Sequence, residues 1–425
     1  MNLRSTFTPQ LLCLCRCITT ALAASFFLLV ACAPTPENIR LVPSEASAPF
    51  NPADYRNFAD YVTQTRQSLL RHKIYLDPDN AELELTAATP FELRPAAHCP
   101  AGSHQRGILL IHGLSDMPFA MRDLSEAFSE RCFLVRSILL PGHGTRAGDL
   151  LKVSRTDWLN AARFGLETLK ADVDEVYAGG FSLGGLLATR LAVDDPDLHG
   201  VFAFSPALSL KRAWQLQQSV WVRHLVDWAD TDAPDDFARY EAMPINALAE
   251  TYLLTQELRE ELLQAPIAVP TLLVQSADDA IIDAETNSRY FEDRFSSRFS
   301  RSIVYVQNPP TRLSASDPRV SYADSYLPKQ RIIGFSHQSV HIAPTNTHYG
   351  VTGEYRNCGV NGGRSAADAE RCINSKEVWW TEIVGDASPD LPANTITARL
   401  TFNPLFEQLM ADIDAFITSL SGETA

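Results

Sequence analysis

The sequence predicts an α/β fold in which a mostly parallel, doubly wound sheet carries helices on both faces. Short apolar runs, typical of buried parallel strands, alternate along the chain with segments of helical pattern. These runs are 108–111, 133–138, 175–179 and 269–276. With 425 residues, of which 45% are hydrophobic, the chain can bury one large sheet and still carry insertions.

The elements can be assigned in chain order. Residues 54–73 have the periodicity of an amphipathic leading helix, and residues 82–94 are predicted to be extended segments that open the sheet. Strands and helices of the core follow over 108–206, and the core resumes at Val269 after an interruption. A closing helix is predicted over 403–420, where Asn-Pro precedes an apolar periodic run.

A serine flanked by glycines, Gly180-Phe181-Ser182-Leu183-Gly184, follows one apolar run and precedes a helical pattern. A nucleophile at a strand-to-helix turn sits in a cramped backbone whose neighbours must lack side chains, so that its hydroxyl projects from the turn. The motif therefore predicts Ser182 as a nucleophile. The alternative is an ordinary serine in a tight turn.

Together with other segments, this motif resembles the α/β-hydrolase superfamily and, within it, the capped carboxylesterases and monoacylglycerol lipases. The matching stretches are 111–114, 140–145, the glycine-flanked serine and 270–283, so the resemblance covers about residues 105–306 and the last helix. It implies that the backbone N–H groups of Leu114 and Leu183 form an oxyanion hole.

The resemblance also implies an acid in the turn after residues 269–276. Members of the family have Gly-x-x-Asp followed by two β-branched residues, which places the acid at Asp279, with Ser276 replacing the usual glycine. Asp278 is the competing candidate. Either aspartate could instead cap the helix predicted to begin near Asp283.

The chain order nucleophile, acid, histidine leaves three candidate histidines, His337, His341 and His348. His337 is the first choice because it follows the apolar run 331–336 and so resembles a histidine presented from a loop after a strand. His337 and His341 have the i, i+4 spacing that suits zinc on a helix, but the apolar residues around them indicate extended structure, so no metal site is predicted.

These roles predict a serine ester hydrolase that works through a Ser182–His337–Asp279 triad and an acyl-enzyme, with acylglycerols or other acyl esters as substrates. No metal or organic cofactor is required. Thioesterase, amidase and polyester depolymerase chemistry are alternatives on the same triad. A non-catalytic lipoprotein that uses the scaffold to bind a partner or surface polymer is an alternative of another class.

The N-terminus resembles the signal peptide of a bacterial lipoprotein. Arg4 and Arg16 precede the apolar stretch 18–31, which is short for a transmembrane helix and ends at Cys32. The resemblance implies cleavage before Cys32, acylation of that cysteine, with palmitate among the acyl chains, and a tether over 32–52. Alanine rather than aspartate follows Cys32, which favours the periplasmic side of the outer membrane. An uncleaved anchor or an ordinary signal peptide is the alternative.

Cysteine usage and charge agree with export. Loss of residues 1–31 and lipidation of Cys32 leave four cysteines, which predicts two disulfides in an oxidising compartment. Four cysteines allow three pairings. Cys99 lies shortly before one predicted strand and Cys132 opens the next, which favours Cys99–Cys132 and Cys358–Cys372, with free thiols as the alternative.

The formal charge is −15, or −17 once the two arginines of residues 1–31 are removed. Such acidity disfavours binding of nucleic acid and electrostatic attraction to anionic lipids. The acidic run 227–236 lacks the regular ligand spacing and the glycine of a calcium loop and is predicted to be a solvated face. The oligomeric state is not predicted.

Two insertions interrupt the core. The first is helical in composition and corresponds to the cap of related hydrolases. Its tryptophans Trp214, Trp221 and Trp228 recur every seven residues, which predicts that they share one helix face. This face is predicted to pack on the core; the alternative is an acyl-binding wall. The second carries the candidate histidines and is interpreted as a second lid, a partner surface or an extended sheet edge. The predicted segments are signal peptide 1–31, tether 32–52, core 53–207, cap 208–265, core 266–306, insertion 307–401 and closing helix 402–425.

Overall fold

The computed structural model describes residues 39–100, 105–309, 317–359, 365–382 and 395–421. The predicted signal peptide, Cys32 and the first part of the tether lie outside the described residues. Among the described ranges, no helix has both the length and the apolar character needed to cross a membrane.

Eight strands form one sheet in the order β1-β3-β2-β4-β5-β8-β9-β10. All neighbours pair in parallel except β1, which runs antiparallel to β3 at the edge. This confirms the predicted mostly parallel sheet. The strands of the described residues are β1 Phe91–Leu93, β2 Arg106–Ile111, β3 Leu134–Ile138, β4 Glu175–Phe181, β5 Gly200–Phe204, β6 Trp228–Asp230, β7 Met243–Pro244, β8 Thr271–Ser276, β9 Arg301–Val306, β10 Val320–Asp324, β11 Trp379–Thr381 and β12 Thr397–Arg399.

Helices connect the strands and precede and close the sheet. The α-helices of the described residues are α1 Phe58–His72, α2 Ala81–Ala88, α3 Arg122–Glu130, α4 Arg155–Lys170, α5 Leu183–Asp194, α6 Ala213–Val222, α7 Ile245–Gln264, α8 Ala284–Arg294, α9 Ala366–Asn374 and α10 Phe406–Ser421. Short 3₁₀ turns cover Pro52–Asp54, Pro78–Asn80, Pro118–Met121, Ala147–Leu151, Pro328–Gln330 and Gln338–His341. The leading helix α1 lies within the range predicted for it, and the closing helix α10 matches its predicted range to within one residue at its C-terminal end.

The sheet is buried on both faces, which explains why its strands are continuous apolar runs. Along β2, Leu109 and Ile111 pack into one apolar cluster, whereas Ile108 and Leu110 pack into the other. Because neighbouring strand residues point to opposite faces, the two clusters lie on opposite sides of the sheet. Strands β4 and β8 run in the same direction on either side of β5, so their carboxyl ends lie at the same edge of the sheet. Loops at this edge can bring distant side chains together.

The prediction for residues 82–94 is wrong over its first half. Residues 81–88 form helix α2, and only Phe91–Leu93 is a strand. The alternation Glu-Leu-Glu-Leu suggested a strand, but the segment is made of good helix formers and Leu83 is 45% exposed. Glu84 is buried instead, because its carboxylate accepts the N–H groups of Leu76 and Asp77 at 2.9 and 2.7 Å.

The prediction for the three cap tryptophans is also wrong. Helix α6 ends at Val222, and Trp228 lies in β6, which pairs with β7 in a separate two-stranded ribbon. Trp214 and Trp221 are 68% and 73% exposed, so neither packs the cap onto the core.

The second insertion contributes to the main sheet. Strand β10 pairs in parallel with β9 over five residues and becomes the edge strand, so the extended-edge interpretation describes this part of the insertion. Strands β11 and β12 form a small parallel pair of their own. The N–H of Ile333 donates to the carbonyl of Trp380 at 2.8 Å, which ties the segment before His337 to this pair.

Both predicted disulfides are present, Cys99–Cys132 and Cys358–Cys372. The first joins the segment after β1 to the turn before β3. The second links the segment after the histidine loop to helix α9.

Removal of the Cys358–Cys372 bridge by a double serine replacement is expected to lower the free energy of unfolding by about 3 kcal/mol, because the bridge closes a loop of 14 residues in the unfolded chain. Urea denaturation measures the effect. The matched replacement of Cys99 and Cys132, which are 33 residues apart, should cost about 4 kcal/mol by the same reasoning. A loss below about 1 kcal/mol in either variant would contradict this account.

Candidate active site

Ser182 lies at the turn between β4 and α5 in a backbone conformation that L-residues rarely adopt, with φ +53° and ψ −111°. The turn is packed too tightly for side chains on either flanking glycine. A Cβ on Gly184 would lie 1.9 Å from the carbonyl oxygen of Ile111, and one on Gly180 would lie 2.4 Å from the carbonyl carbon of Gly184. The glycines therefore allow the turn that presents the Ser182 hydroxyl.

Three side chains from separate parts of the chain form one line of hydrogen bonds. Nε2 of His337 lies 3.0 Å from Oγ of Ser182, and Nδ1 of His337 lies 2.6 Å from Oδ2 of Asp279. The other carboxylate oxygen of Asp279 accepts the N–H groups of Ile281 and Ile282 at 2.7 and 2.8 Å. This arrangement can transfer a proton from the hydroxyl to the imidazole while the carboxylate fixes the ring.

Asp279 is ionised although its side chain is buried. Burial alone would raise the pKa of Asp279, but the contacts with His337 and the hydrogen bonds from two backbone amides lower that pKa below its usual value. A carboxylate in this state can stabilise an imidazolium as it forms.

Asp278, the competing candidate, does not contact His337. One of its carboxylate oxygens accepts the hydroxyl of Ser325 at 2.8 Å and the N–H of Phe335 at 3.3 Å. Desolvation by burial raises the pKa of Asp278. Its contacts hold the segment that leads to His337, so the two adjacent aspartates have different structural roles.

The other two candidate histidines are buried away from the Ser182 hydroxyl. The ring of His341 stacks on Phe181 with 4.2 Å between centroids. Nε2 of His348 donates to Asp236 at 2.9 Å. Neither forms a hydrogen bond with Ser182 among the described residues.

Asp236 belongs to an acidic run, residues 227–236, that the sequence predicts to be a solvated face. The prediction is wrong for Asp236, which is buried and also accepts the hydroxyl of Tyr349 at 2.8 Å. The cap loop carrying Asp236 packs on the second insertion, and this contact joins the two insertions beside the site.

Leu114 lies in the loop after β2, and Leu183 lies in the first turn of α5. In the described part of the chain, the backbone N–H groups of these two residues donate to no protein group. Both amides therefore remain available to a bound oxyanion.

Two histidines hold this loop in place. Nε2 of His112 accepts the N–H of Leu140 at 3.0 Å, and Nε2 of His143 accepts the N–H of Ser115 at 3.1 Å. Burial lowers the pKa of both, that of His143 to about 4. They are consequently neutral at pH 7, as these hydrogen bonds require.

Comparison with known proteins matches residues 108–318 to the alpha/beta hydrolase family. These residues form an alpha/beta hydrolase domain. A thermostable monoacylglycerol lipase from Bacillus sp. (strain H-257) is 27% identical over 206 residues, which cover 48% of this chain and 81% of the relative.

One solved structure similar to the hydrolase domain comes from work on two metagenome-derived lipolytic enzymes, LipS and LipT. The similarity has a TM-score of 0.46 at 20% identity, and it covers 51% of this chain and 87% of that chain. The monoacylglycerol lipase of Paleococcus ferrophilus gives a TM-score of 0.42 at 18% identity and covers 56% and 90%.

Glu382 is a site residue that the sequence did not indicate. Its side chain is buried at the end of β11, where Oε2 accepts the backbone N–H of His337 at 2.6 Å and Oε1 accepts Arg399 at 2.7 Å. Glu382 thus fixes the backbone of the loop that carries His337. No local motif marks it, because it lies 45 residues after His337.

Replacing Glu382 by alanine is expected to lower kcat for an ester by about 10- to 100-fold with little change in KM, because displacement of a catalytic group by about 1 Å costs this much. The conservative variant Glu382→Gln, which keeps an oxygen for the His337 N–H, should retain most of kcat. Steady-state kinetics distinguish the two. Equal losses in both variants, or a change in KM alone, would argue against a positioning role.

His341 predicts a pH dependence of stability. Burial, and the proximity of His337, lower its pKa in the folded protein to about 3, against about 6.5 in the unfolded chain. Below pH 6.5 the unfolded state therefore binds a proton that the folded state does not, and His341 increasingly disfavours folding as the pH falls.

His341→Phe removes this effect. The free energy of unfolding of the variant should rise relative to that of wild type by about 2 kcal/mol between pH 7 and pH 5, because only wild type loses stability through His341. Urea denaturation at pH 7, 6 and 5 measures the change. A difference that does not vary with pH would show that His341 is not buried as a neutral ring.

Proposed function

We propose that this protein is a serine ester hydrolase in which Ser182, His337 and Asp279 form the catalytic triad. The observation that carries the proposal is the continuous hydrogen-bonded line from the Ser182 hydroxyl through both imidazole nitrogens to the Asp279 carboxylate. Positive φ at Ser182 supports it, because this conformation is typical of a nucleophile presented at a strand-to-helix turn.

In the first half of the reaction, Oγ of Ser182 attacks the carbonyl carbon of the ester and its proton passes to Nε2 of His337. The N–H groups of Leu114 and Leu183 bind the oxygen that becomes negative, and single donors of this kind typically contribute about 3 kcal/mol. Collapse of the intermediate releases the alcohol, which takes the proton from Nε2. Asp279 keeps the proton on Nδ1 and stabilises the transient imidazolium.

In the second half, water attacks the acyl-enzyme with His337 as general base, and the acid is released from Ser182. Every bond change is accounted for by the three side chains and the two amides. No metal or organic cofactor enters this sequence of steps.

Acylglycerols are the leading substrate class, and the 27% identical monoacylglycerol lipase supports this choice. A triad does not select the leaving group, so thioesters, amides and polyesters remain competing substrates. Matched assays of an ester, a thioester and an amide of the same acyl chain test the proposal. We expect the ester to give the highest kcat/KM. Turnover of the amide or thioester alone would reassign the reaction.

The alternative of a non-catalytic binding scaffold is disfavoured by the preserved geometry. A scaffold that no longer turns over substrate has no need for a Ser182–His337 distance of 3.0 Å, a strained serine or an ionised buried Asp279. A folded protein that hydrolyses no ester, thioester or amide and takes no active-site label would favour the scaffold.

We further propose that the chain is a lipoprotein, acylated at Cys32 and held at the periplasmic face of the outer membrane. The support is the basic, apolar and small-residue pattern that ends at Cys32. Mass spectrometry of the N-terminal peptide should show cleavage before Cys32 and added acyl chains. Cys32→Ser should move the protein from the membrane fraction to the soluble periplasmic fraction, and unchanged fractionation would contradict the proposal.

A further inference from the structure

A cleft with a volume of about 50 Å³ lies next to the loop after β2. Its walls come from five parts of the chain: Arg40 and residues 73–76 of the N-terminal segment; Glu84 of helix α2; Met117 of the loop after β2; residues 145–147; and side chains of the cap loop between Pro234 and Ala242. Ser182, Asp279 and His337 do not line it, so the cleft is separate from the triad itself.

Four basic side chains line this cleft: Arg40, Lys73, Arg146 and Arg239. Within the part of the chain that the structure describes, Lys73 forms an ion pair, with 3.8 Å between Nζ and the carboxylate of Glu84. Against the lowering effect of burial, nearby Tyr355, Asp116, Asp236 and Glu241 raise the pKa of Arg239. Among the described residues, no carboxylate oxygen lies within 4.0 Å of the three guanidinium groups. The chain carries 51 acidic and 36 basic residues, so a shortage of carboxylates does not explain why these arginines lack ion-pair partners.

The hydrogen bonds of two of these arginines leave donors unused. Arg146 donates to the carbonyls of Ile39 and His72 at 3.4 and 3.2 Å, and Arg239 donates to Oε1 of Gln338 at 3.3 Å. The Nε atoms of Arg146 and Arg239 are buried and have no hydrogen-bond partner among the residues that the structure describes. Buried donors without partners are costly, so a ligand oxygen in the cleft would relieve an existing deficit.

Three carboxyl side chains, Glu84, Asp236 and Glu241, line the cleft and are outnumbered by its four basic side chains. The carboxylate of Glu84 is held by Lys73 and two backbone amides, and that of Asp236 is held by His348 and Tyr349. Burial raises the pKa of Glu241 to about 9, so Glu241 is uncharged at pH 7. The cleft is therefore a positive site in an acidic protein.

The cleft is connected to the reacting centre by direct contacts. The guanidinium of Arg239 contacts Gln338, the residue after His337. Met117 lies three residues after Leu114 on the same loop, and the carbonyl of Ser115 accepts the N–H of Tyr240 from the cap at 2.9 Å. The cleft therefore borders both the loop that carries Leu114 and the residue that follows His337.

We propose that the cleft binds a negatively charged oxygen group of the substrate, a phosphate or a carboxylate, so that acyl esters carrying such a group are preferred over neutral ones. Guanidinium groups bind these anions through paired, charge-assisted hydrogen bonds. The apolar walls at Met117 and Phe237 suit the carbon skeleton between the charge and the ester. This inference rests on the proposed ester hydrolase function and specifies its substrate class.

The test compares kcat/KM for esters that differ only in charge. One pair is a monoacylglycerol and the acylglycerol phosphate with the same acyl chain. The other is the p-nitrophenyl ester of a fatty acid and that of a dicarboxylic acid of equal length. Wild type should prefer the charged member of at least one pair by about tenfold or more, and the pair identifies phosphate or carboxylate as the ligand.

Arg40→Gln and Arg146→Gln should each lower the ratio of charged to neutral kcat/KM by about tenfold. The matched control is Arg94→Gln, an exposed arginine outside the cleft that should leave the ratio unchanged. If wild type shows no preference in either pair, or if the two variants behave like Arg94→Gln, the proposal is wrong. If Arg146→Gln does not fold, Arg40→Gln decides.

Thermal unfolding of wild-type protein with inorganic phosphate separates this inference from the proposed function. Absence of hydrolysis of every ester would remove the proposed function and the substrate preference together. Active hydrolysis without a charge preference would remove only the cleft proposal. A rise in Tm with phosphate that Arg40→Gln abolishes, without any preference for charged esters, would show binding of free phosphate and overturn the substrate assignment.

Discussion

Replacing Ser182 by alanine is expected to lower kcat for ester hydrolysis by about 10⁴-fold or more, because removal of the nucleophile abolishes acyl-enzyme formation. The strained turn is retained in the variant, since alanine has the same Cβ. The change should leave the Tm close to that of wild type. Ester hydrolysis and thermal unfolding of the purified variant measure both effects.

Ser205 offers a matched control for this replacement. It is a buried serine at the end of the neighbouring strand β5, also with positive φ, and its hydroxyl has no partner in the described part of the chain. Ser205→Ala should change kcat by less than about threefold. If Ser182→Ala retained activity similar to that of Ser205→Ala, the nucleophile would have to be another group.

Asp279→Asn is expected to lower kcat by about 10⁴-fold, because an amide cannot hold the proton on Nδ1 of His337 or stabilise the imidazolium. Asp278→Asn, one residue away, should lower kcat by less than about tenfold, because an amide oxygen can still accept Ser325 and the Phe335 N–H. Steady-state kinetics of the two isosteric variants give the comparison directly.

The decisive quantity is the ratio of kcat in Asp278→Asn to kcat in Asp279→Asn. The two residues are adjacent, Asp279 is buried and Asp278 partly buried, and each variant replaces one carboxylate oxygen by an amide nitrogen, so differences in folding are kept small. Similar losses in both variants, or the larger loss in Asp278→Asn, would contradict the assignment of Asp279 to the triad.

The sequence predicted most accurately those elements that are buried on both sides. Strands β2, β3, β4 and β8 are continuous apolar runs because helices cover both faces of the sheet, and such runs stand out without knowledge of the fold. The glycine-flanked serine was equally clear, because close approach of Gly184 to Ile111 leaves no alternative residue there.

The errors arose where a local pattern had two interpretations. Alternating glutamates and leucines in residues 82–85 fit a half-exposed strand, but also occur in a helix that buries Glu84 against backbone amides. The seven-residue spacing of Trp221 and Trp228 fits one helix only if the helix continues, and α6 ends at Val222.

Contacts between residues far apart in the chain could not be predicted from the sequence for a different reason. The contacts of Glu382 with His337 and of Asp236 with His348 join segments 45 and 112 residues apart. A buried carboxylate has no periodicity, and only the tertiary structure shows what it holds. The same applies to the arginines of the cleft, which come from three separate segments.

The most direct test of the central claim is intact-protein mass spectrometry after treatment with a fluorophosphonate, followed by peptide mapping. The account predicts one adduct per chain, located on Ser182, absent in Ser182→Ala and strongly slowed in His337→Ala and Asp279→Asn but not in Asp278→Asn. Folded wild-type protein that forms no adduct, or an adduct on another residue, would contradict the claim that Ser182, His337 and Asp279 form a working triad.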